Sequence, residues 1–319
     1  MTRIVFLDRS TMAPQIPLTK PGFDHEWIEH DRTAPDQVVE RLAGTEIAVA
    51  NKVGIKAAHL EHLPDLKMIC IPATGYDAFD IAACNARGIV VSNVRGYAHT
   101  TVPEHVFALL LALRKNIVGF RQSVMDGRWQ EADQFCYFDY PINYLRGSTL
   151  GIIGEGIIGQ GVAKIGQAFG METLFAAHKG VEGLGPLYIP FEEVLERSDA
   201  ITLHAPLMPA TKDTLAAPEF ARMKRKPVII NAGRGGLVNE ADLVAALDAG
   251  QIAGIGFDCL TTEPPALDNP LLAVLDRPNV IVTPHTAWAS DEAQIEVWDQ
   301  VIEHIENYKA GKPSNVVGR

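Results

Sequence analysis

Three side chains in the last third of the chain are of the types that acid–base chemistry on an anionic substrate requires. Arg234, in Asn231-Ala232-Gly233-Arg234-Gly235, carries a planar guanidinium that can hold a carboxylate through two parallel hydrogen bonds. His285, in Thr283-Pro284-His285-Thr286, is the residue type that titrates near neutrality and can pass a proton. Glu263, just before Pro264, can orient an imidazole and favour its charged form. Taken singly, each has an ordinary structural reading: an ion-pair partner, a surface-loop acid, a satisfied core histidine. Each, however, follows a short apolar run of strand character, at 228–231, 254–257 and 280–282. Ligands of open α/β sheets collect outside the carboxyl ends of strands, so the three segments could converge on one crevice.

Something must position a second reactant beside them. The stretch LGIIGEGIIGQG, residues 150–161, has an apolar run at 150–153 and then Gly154, Gly156 and Gly159 in G-x-G-x-x-G spacing. A helical pattern follows through Ile158, Val162, Ile165 and Phe169. Strand, glycine turn and helix together are the context of a dinucleotide site: a tight turn, close backbone approach to pyrophosphate, and a helix N-terminus facing it. Without that context the motif would be a Gly-rich turn of some other α/β unit. Glu155 lies inside the turn and would repel pyrophosphate if it pointed inward, so it is expected to face solvent.

An acid roughly 20 positions past the first glycine usually binds the adenosine ribose 2′-hydroxyl. Here that count lands on Ala176, Ala177, His178 and Lys179, with no carboxylate. A neutral position followed by two basic side chains can accept a 2′-phosphate, so NADP(H) is expected to be at least tolerated beside NAD(H). The alternative is that His178 and Lys179 belong to a solvated loop.

Composition narrows the class. The 319 residues suffice for two domains, and a net charge of -11, from 28 basic and 39 acidic side chains, disfavours nonspecific nucleic-acid binding. The apolar run at 4–7 is too short for a signal peptide's hydrophobic region, and that at 106–113 is too short to span a bilayer. A cytoplasmic protein without membrane partners is expected. Cys70, Cys84, Cys136 and Cys259 show no metal-ligand spacing and read as reduced, buried thiols; no metal site is expected.

Apolar runs at 4–7, 47–50, 66–71 and 89–91 read as strands, with helical patterns at 36–42, 56–63 and 77–86 between them. Pro103 opens a longer helix, apolar nearly all round, with Thr100 or Thr101 as cap. Residues 128–146, rich in aromatics but without period, read as an extended arm that packs on something. Beyond the glycine turn, strands at 173–176, 200–203, 228–231, 254–257 and 280–282 alternate with helices at 191–195, 218–223 and 240–249, and a last amphipathic helix spans 291–308. The fold class is α/β, with two doubly wound, Rossmann-like parallel-sheet domains.

The segments LGIIGEGIIGQG, NAGRGGLV, GFDCLTTEPP and VTPHTAWAS together resemble the signature regions of the D-isomer-specific 2-hydroxyacid dehydrogenases, and the similarity covers nearly the whole chain. NVRGYAHTTVPEHVFALLLALRKN and FCYFDYP look most like the glycerate dehydrogenase, or hydroxypyruvate (glyoxylate) reductase, branch. The resemblance implies that Arg234 grips the substrate carboxylate, that His285 is the acid/base and that Glu263 is its partner. It implies substrate contacts at Lys52, Thr74 and Gly75. It implies cofactor contacts at Thr101, Ile158, Ala205, Pro206, Thr211, Ala232, Gly233 and Asp258, the last facing the nicotinamide carboxamide, which join Gly154, Gly156, Ile157, Gly159, His178, Lys179 and His285 as the expected cofactor site. The family's usual second-strand acid is missing at Ala177. Residues 1–100 plus 287–319 would form a substrate-binding domain and 101–286 a dinucleotide-binding domain, with a cleft between them and a homodimer built on the long helix and the arm. The expected activity is reduction of small 2-keto acids, hydroxypyruvate or glyoxylate, to D-glycerate or glycolate. The alternatives are larger keto acids, phosphite oxidation, or a non-catalytic dinucleotide sensor.

Overall fold

Apolar strands that are buried on both faces need helices on each side, and the chain meets this need twice. The structure, a computed structural model describing residues 1–318, contains two parallel sheets. Contacts divide the chain into two units, residues 1–98 with the chain from Trp288 onward, and residues 99–287.

In the first unit, β1 (Thr2–Phe6), β2 (His25–Glu29), β3 (Ile47–Val49), β4 (Met68–Ile71) and β5 (Val90–Asn93) lie in the order β2-β1-β3-β4-β5, every pair parallel. Helices α1 (Val38–Arg41), α2 (Ala57–Leu60) and α3 (Ile81–Ala86) lie in the connections. Alternate strand residues feed opposite faces: Val5, Leu7, Ala48, Ile69 and Val91 enter one core, and Ile4, Phe6, Ile47, Val49 and Cys70 the other. Strand β2 escapes the sequence reading because HEWIE mixes charge with half-buried apolar residues, as an edge strand can.

In the second unit the chain runs through α4 (Thr101–Arg114), α5 (Ile117–Met125) and α6 (Arg128–Ala132) into β6 (Thr149–Ile153), α7 (Ile157–Ala168), β7 (Glu172–Ala176) and β8 (Tyr188–Ile189). It continues through α8 (Phe191–Arg197), β9 (Ala200–Leu203), α9 (Ala217–Phe220), β10 (Val228–Asn231), α10 (Glu240–Asp248), β11 (Gly254–Phe257) and β12 (Val280–Val282). The strand order β12-β11-β10-β9-β6-β7-β8, all parallel, reverses direction between β6 and β9. That is the dinucleotide-fold order with one strand more. The all-round apolar character of α4 has a cause within this unit: Leu109 and Leu113 sit over β11, and Phe107 packs toward Gly166 of α7. Pro103 stands third in α4 rather than first, after Thr100 and Thr101.

The aromatic arm is less extended than its composition suggests. It opens with α6, then folds back, Tyr137 and Tyr140 meeting Phe120 edge-on at 5.7 and 5.2 Å. Arg128 pairs with both carboxylate oxygens of Asp139. Cys136, in this segment, is half-buried, whereas Cys70, Cys84 and Cys259 are buried; all four are free thiols.

Helix α11 (Asp291–Lys309) belongs to the first unit, burying Val297, Trp298, Val301 and Ile305 against the face that holds Phe6. Ser290 caps it, its hydroxyl accepting from Ala293 N, with Asp291 and Glu292 in the first turn where the helix dipole favours acids.

Candidate active site

The loops after β10, β11 and β12 carry Arg234, Glu263 and His285, and these three strands are neighbours in one parallel sheet. All three loops therefore leave the same edge. The first two touch directly: a Cβ added to Gly235 would meet Leu260 O at 1.9 Å, so a side chain there would push the Arg234 loop off the Glu263 loop. Leu260 N donates to Glu263 Oε1 at 2.9 Å, leaving Oε2 for His285, whose Nδ1 lies 2.6 Å away. With Nδ1 bound to the carboxylate, Nε2 is the ring atom left to exchange a proton. The imidazole and the Glu263 carboxylate remain 31% and 36% exposed, so the pair can be reached from outside. The Arg234 side chain is exposed, and its guanidinium touches the protein through Nη1, which donates to Gly233 O at 2.8 Å.

His285 itself sits in the left-handed region, φ 55°, which a side chain adopts only when its surroundings insist. Asp258 supplies the insistence. Its carboxylate, 2% exposed, accepts from Thr283 Oγ1 at 2.6 Å and from the Thr286 and Ala287 amides at 2.9 Å each, while His285 N donates to its backbone carbonyl. The carboxylate is thus turned into the loop rather than toward open space. From α4, His105 Nε2 approaches Thr283 Oγ1 at 3.0 Å, and Thr101 Oγ1 donates to Ala287 O at 3.0 Å. The sequence reading named Asp258 as a cofactor contact rather than as this brace, and it missed His105, for which a His on a buried helix was the available signal.

The glycine turn has the shape its spacing predicts. Gly154 lies at φ 107°, and a Cβ there would fall 2.6 Å from Ala205 N and from the His204 carbonyl carbon. A Cβ on Gly159 would fall 2.0 Å from Gly154 O, so helix and turn meet without room for a side chain. Around Gly156, at the N-terminus of α7, a Cβ would meet nothing within 4 Å. Open space over free amides at the start of a 12-residue helix suits a pyrophosphate, so the residues present fit a dinucleotide. Ile157, 62% exposed, and Ile158 form the first turn of that helix. Opposite, across the point where strand order reverses, stand Ala205 and Pro206 after β9; Thr211 holds their loop, its hydroxyl donating to Pro206 O at 2.6 Å. Ala232 and Gly233 follow β10, Gly233 close against Leu203 O.

Two features depart from the sequence reading. The Glu155 side chain is 35% exposed, as expected of one facing solvent, yet its Oε1 lies 3.4 Å from His178 Nε2. Lys179 is likewise engaged, its Nζ 2.9 Å from Glu219 Oε1. The cations expected to meet a 2′-phosphate each already face a carboxylate. Beneath the turn, His204 is half-buried, with Nε2 2.8 Å from Thr202 Oγ1 and a buried, unpartnered Nδ1. Burial pushes its imidazole down from 6.5 to about 3.

In the first unit, Asp8 follows β1 and is 3% exposed, and its carboxylate accepts from the amides of Asn51, Lys52 and Val53 after β3, at 2.6 to 3.0 Å. Burial pushes this carboxyl up, against the pull of the three amides and of Lys52. In a sheet of order β2-β1-β3-β4-β5 the reversal point lies between β1 and β3, where ligands bind. Lys52 stands there. Thr74 and Gly75 follow β4, Thr74 tied to Val94 O through its hydroxyl. Asp8 was missed in the sequence, where its signal was an acid closing a wholly buried run.

A model of the D-isomer specific 2-hydroxyacid dehydrogenase NAD binding domain matches residues 107–287. The chain belongs to that family. A glycerate dehydrogenase of Methylorubrum extorquens is 48% identical over 316 residues, 99% of this chain and 98% of the relative. A hydroxypyruvate reductase of Blautia hydrogenotrophica is 36% identical over 92% of both chains. Among solved structures, an acyclic imino acid reductase in complex with NADPH and D-Arg superposes with a TM-score of 0.81 at 29% identity, covering 99% of this chain and all of that one. The family membership makes the protein an oxidoreductase that uses a nicotinamide dinucleotide, NAD(H) or NADP(H). Among the described residues no helix is long and apolar enough to cross a membrane.

Proposed function

We propose that the protein reduces small 2-keto acids, hydroxypyruvate and glyoxylate, to the corresponding D-glycerate and glycolate. The observation that carries this reading is the His285–Glu263 pair, 2.6 Å apart, joining the loops after β12 and β11 beside the Arg234 loop at the carboxyl edge of a dinucleotide-binding sheet. A bound nicotinamide supplies the hydride. The chain's own residues do the rest. Arg234 binds the substrate carboxylate and polarises the adjacent carbonyl. His285 Nε2 gives a proton to the carbonyl oxygen, so that hydride on carbon and proton on oxygen complete the alcohol. Glu263 holds Nδ1 and favours the charged ring that must donate. Lys52 and the backbone at Thr74 and Gly75 serve substrate binding, and residues 1–100 plus 287–319 are the substrate-binding domain, 101–286 the dinucleotide domain. The names of the similar proteins support small keto acids over the larger ones, phosphite, or a non-catalytic sensor.

The same reading includes a cytoplasmic homodimer. Phe135, Phe138 and Tyr144 of the arm are 88%, 79% and 73% exposed, and Met125 of α5 is 63% exposed. A second copy of the chain would cover them.

The test is steady-state reduction of hydroxypyruvate, glyoxylate and phenylpyruvate by His285→Ala beside the unaltered chain, with dinucleotide affinity measured in parallel. The variant is expected to lose at least about a hundredfold in turnover while still binding the dinucleotide, general acid catalysis contributing roughly that much. Near-normal turnover would remove His285 from the chemistry, and a preference for phenylpyruvate would overturn the substrate class.

A further inference from the structure

Glu155 is an acid where a pyrophosphate-binding turn has least use for one. Its backbone lies between Gly154 and Gly156, and its carboxylate, which accepts from its own amide, lies 3.4 Å from His178 Nε2 and within hydrogen-bonding reach of the Tyr188 hydroxyl. His178 stands two residues beyond Ala176, the end of β7. The Glu155 carboxylate therefore occupies the carboxyl end of the second strand of the dinucleotide fold, although it is anchored after the first. That is where an acid normally receives the adenosine ribose 2′-hydroxyl. The strand's own residues there, Ala176 and Ala177, cannot.

The surroundings reinforce the assignment. Burial pushes the Glu155 carboxyl up, but hydrogen bonds from its own amide, His178 and Tyr188 outweigh burial and hold it below its ordinary value, so it is ionised at neutral pH. The nearer basic side chain, His178, already faces this carboxylate at 3.4 Å, and Lys179 is spent on Glu219, whose other oxygen accepts from Ala216 N. A 2′-phosphate would meet an ionised carboxylate and would have to break the Lys179–Glu219 ion pair to gain a counter-charge. A 2′-hydroxyl would donate to the carboxylate and leave that pair intact.

We propose that Glu155 supplies, from the glycine turn, the acid that the second strand lacks, and so makes the site select the dinucleotide without a 2′-phosphate. The proposal rests on the reading of this turn as a nicotinamide dinucleotide site. Glu155 is a specificity residue; it does not touch the reacting atoms.

The experiment measures dissociation constants of NADH and NADPH by nicotinamide fluorescence, and of ADP and 2′,5′-ADP by calorimetry, for the unaltered protein, Glu155→Gln and Glu155→Ala. The unaltered protein is expected to bind NADH and ADP at least about tenfold tighter than their 2′-phosphorylated counterparts, the scale of one charge-assisted hydrogen bond. Both variants should shrink that ratio about tenfold, chiefly by tightening NADPH and 2′,5′-ADP. Normal binding of all four ligands with a ratio that neither variant moves overturns this proposal alone. So does an unaltered protein that prefers NADPH. Failure of folded protein to bind any of the four overturns the dinucleotide reading itself, and this proposal with it.

Discussion

Acid should weaken the fold at one identifiable place, beneath the glycine turn. His204 follows β9, and its backbone carbonyl seats Gly154, while its half-buried side chain has a buried, unpartnered Nδ1. In the unfolded chain this imidazole titrates at its ordinary value of 6.5; in the fold, burial lowers it to about 3. Between those values the unfolded chain binds a proton that the folded chain refuses. The contribution to stability is therefore fully present above pH 6.5 and is lost progressively as pH falls toward 3. At pH 5 the loss is about 2 kcal/mol, from roughly 1.4 kcal/mol for each pH unit below the unfolded value. The perturbation is His204→Gln, which keeps a partner for the Thr202 hydroxyl and cannot titrate. Urea unfolding of both chains at pH 7.5 and pH 5 gives the two free-energy differences, and titrations common to both chains cancel in the comparison. The unaltered chain should lose about 2 kcal/mol more than the variant over that interval. Equal losses would refute the argument that burial excludes the proton.

Two further outcomes follow from the geometry. Gly154→Ala places a Cβ 2.6 Å from backbone atoms at a φ of 107°, and should lower the melting temperature and abolish dinucleotide binding together, whereas Gly156→Ala meets open space and should leave melting nearly unchanged while weakening dinucleotide affinity; thermal melts paired with fluorescence titrations separate the two. Replacing the exposed Phe135 and Phe138 by Ser should convert a dimer to a folded monomer by sedimentation velocity, and an unaltered sedimentation coefficient would place any interface elsewhere.

Much of this protein is written in short windows of its sequence. Strands such as 200–203, 228–231, 254–257 and 280–282 are legible because a strand buried on both faces must be an unbroken apolar run, and the structure has them at those residues. The glycine turn is legible because its three glycines keep a fixed spacing within six residues, although the atoms that exclude a side chain at Gly154 belong to His204 and Ala205, far along the chain. Arg234, Glu263 and His285 were placed at strand ends by counting, and parallel pairing of β10, β11 and β12 then obliged their loops to share an edge.

What the sequence could not decide is where side chains go once the sheets form. Glu155 and His178 are 23 residues apart, and Asp8 and Asn51 are 43 apart; each pair meets only because parallel strands bring their carboxyl ends together. The same cause reassigns the cations expected for a 2′-phosphate, turns Asp258 inward to hold the strained His285 loop, and strips His204 of its proton. Periodicity and glycine spacing are local and survive in a one-dimensional record. Charge pairing and desolvation depend on which strands are neighbours, and only the folded sheet supplies that.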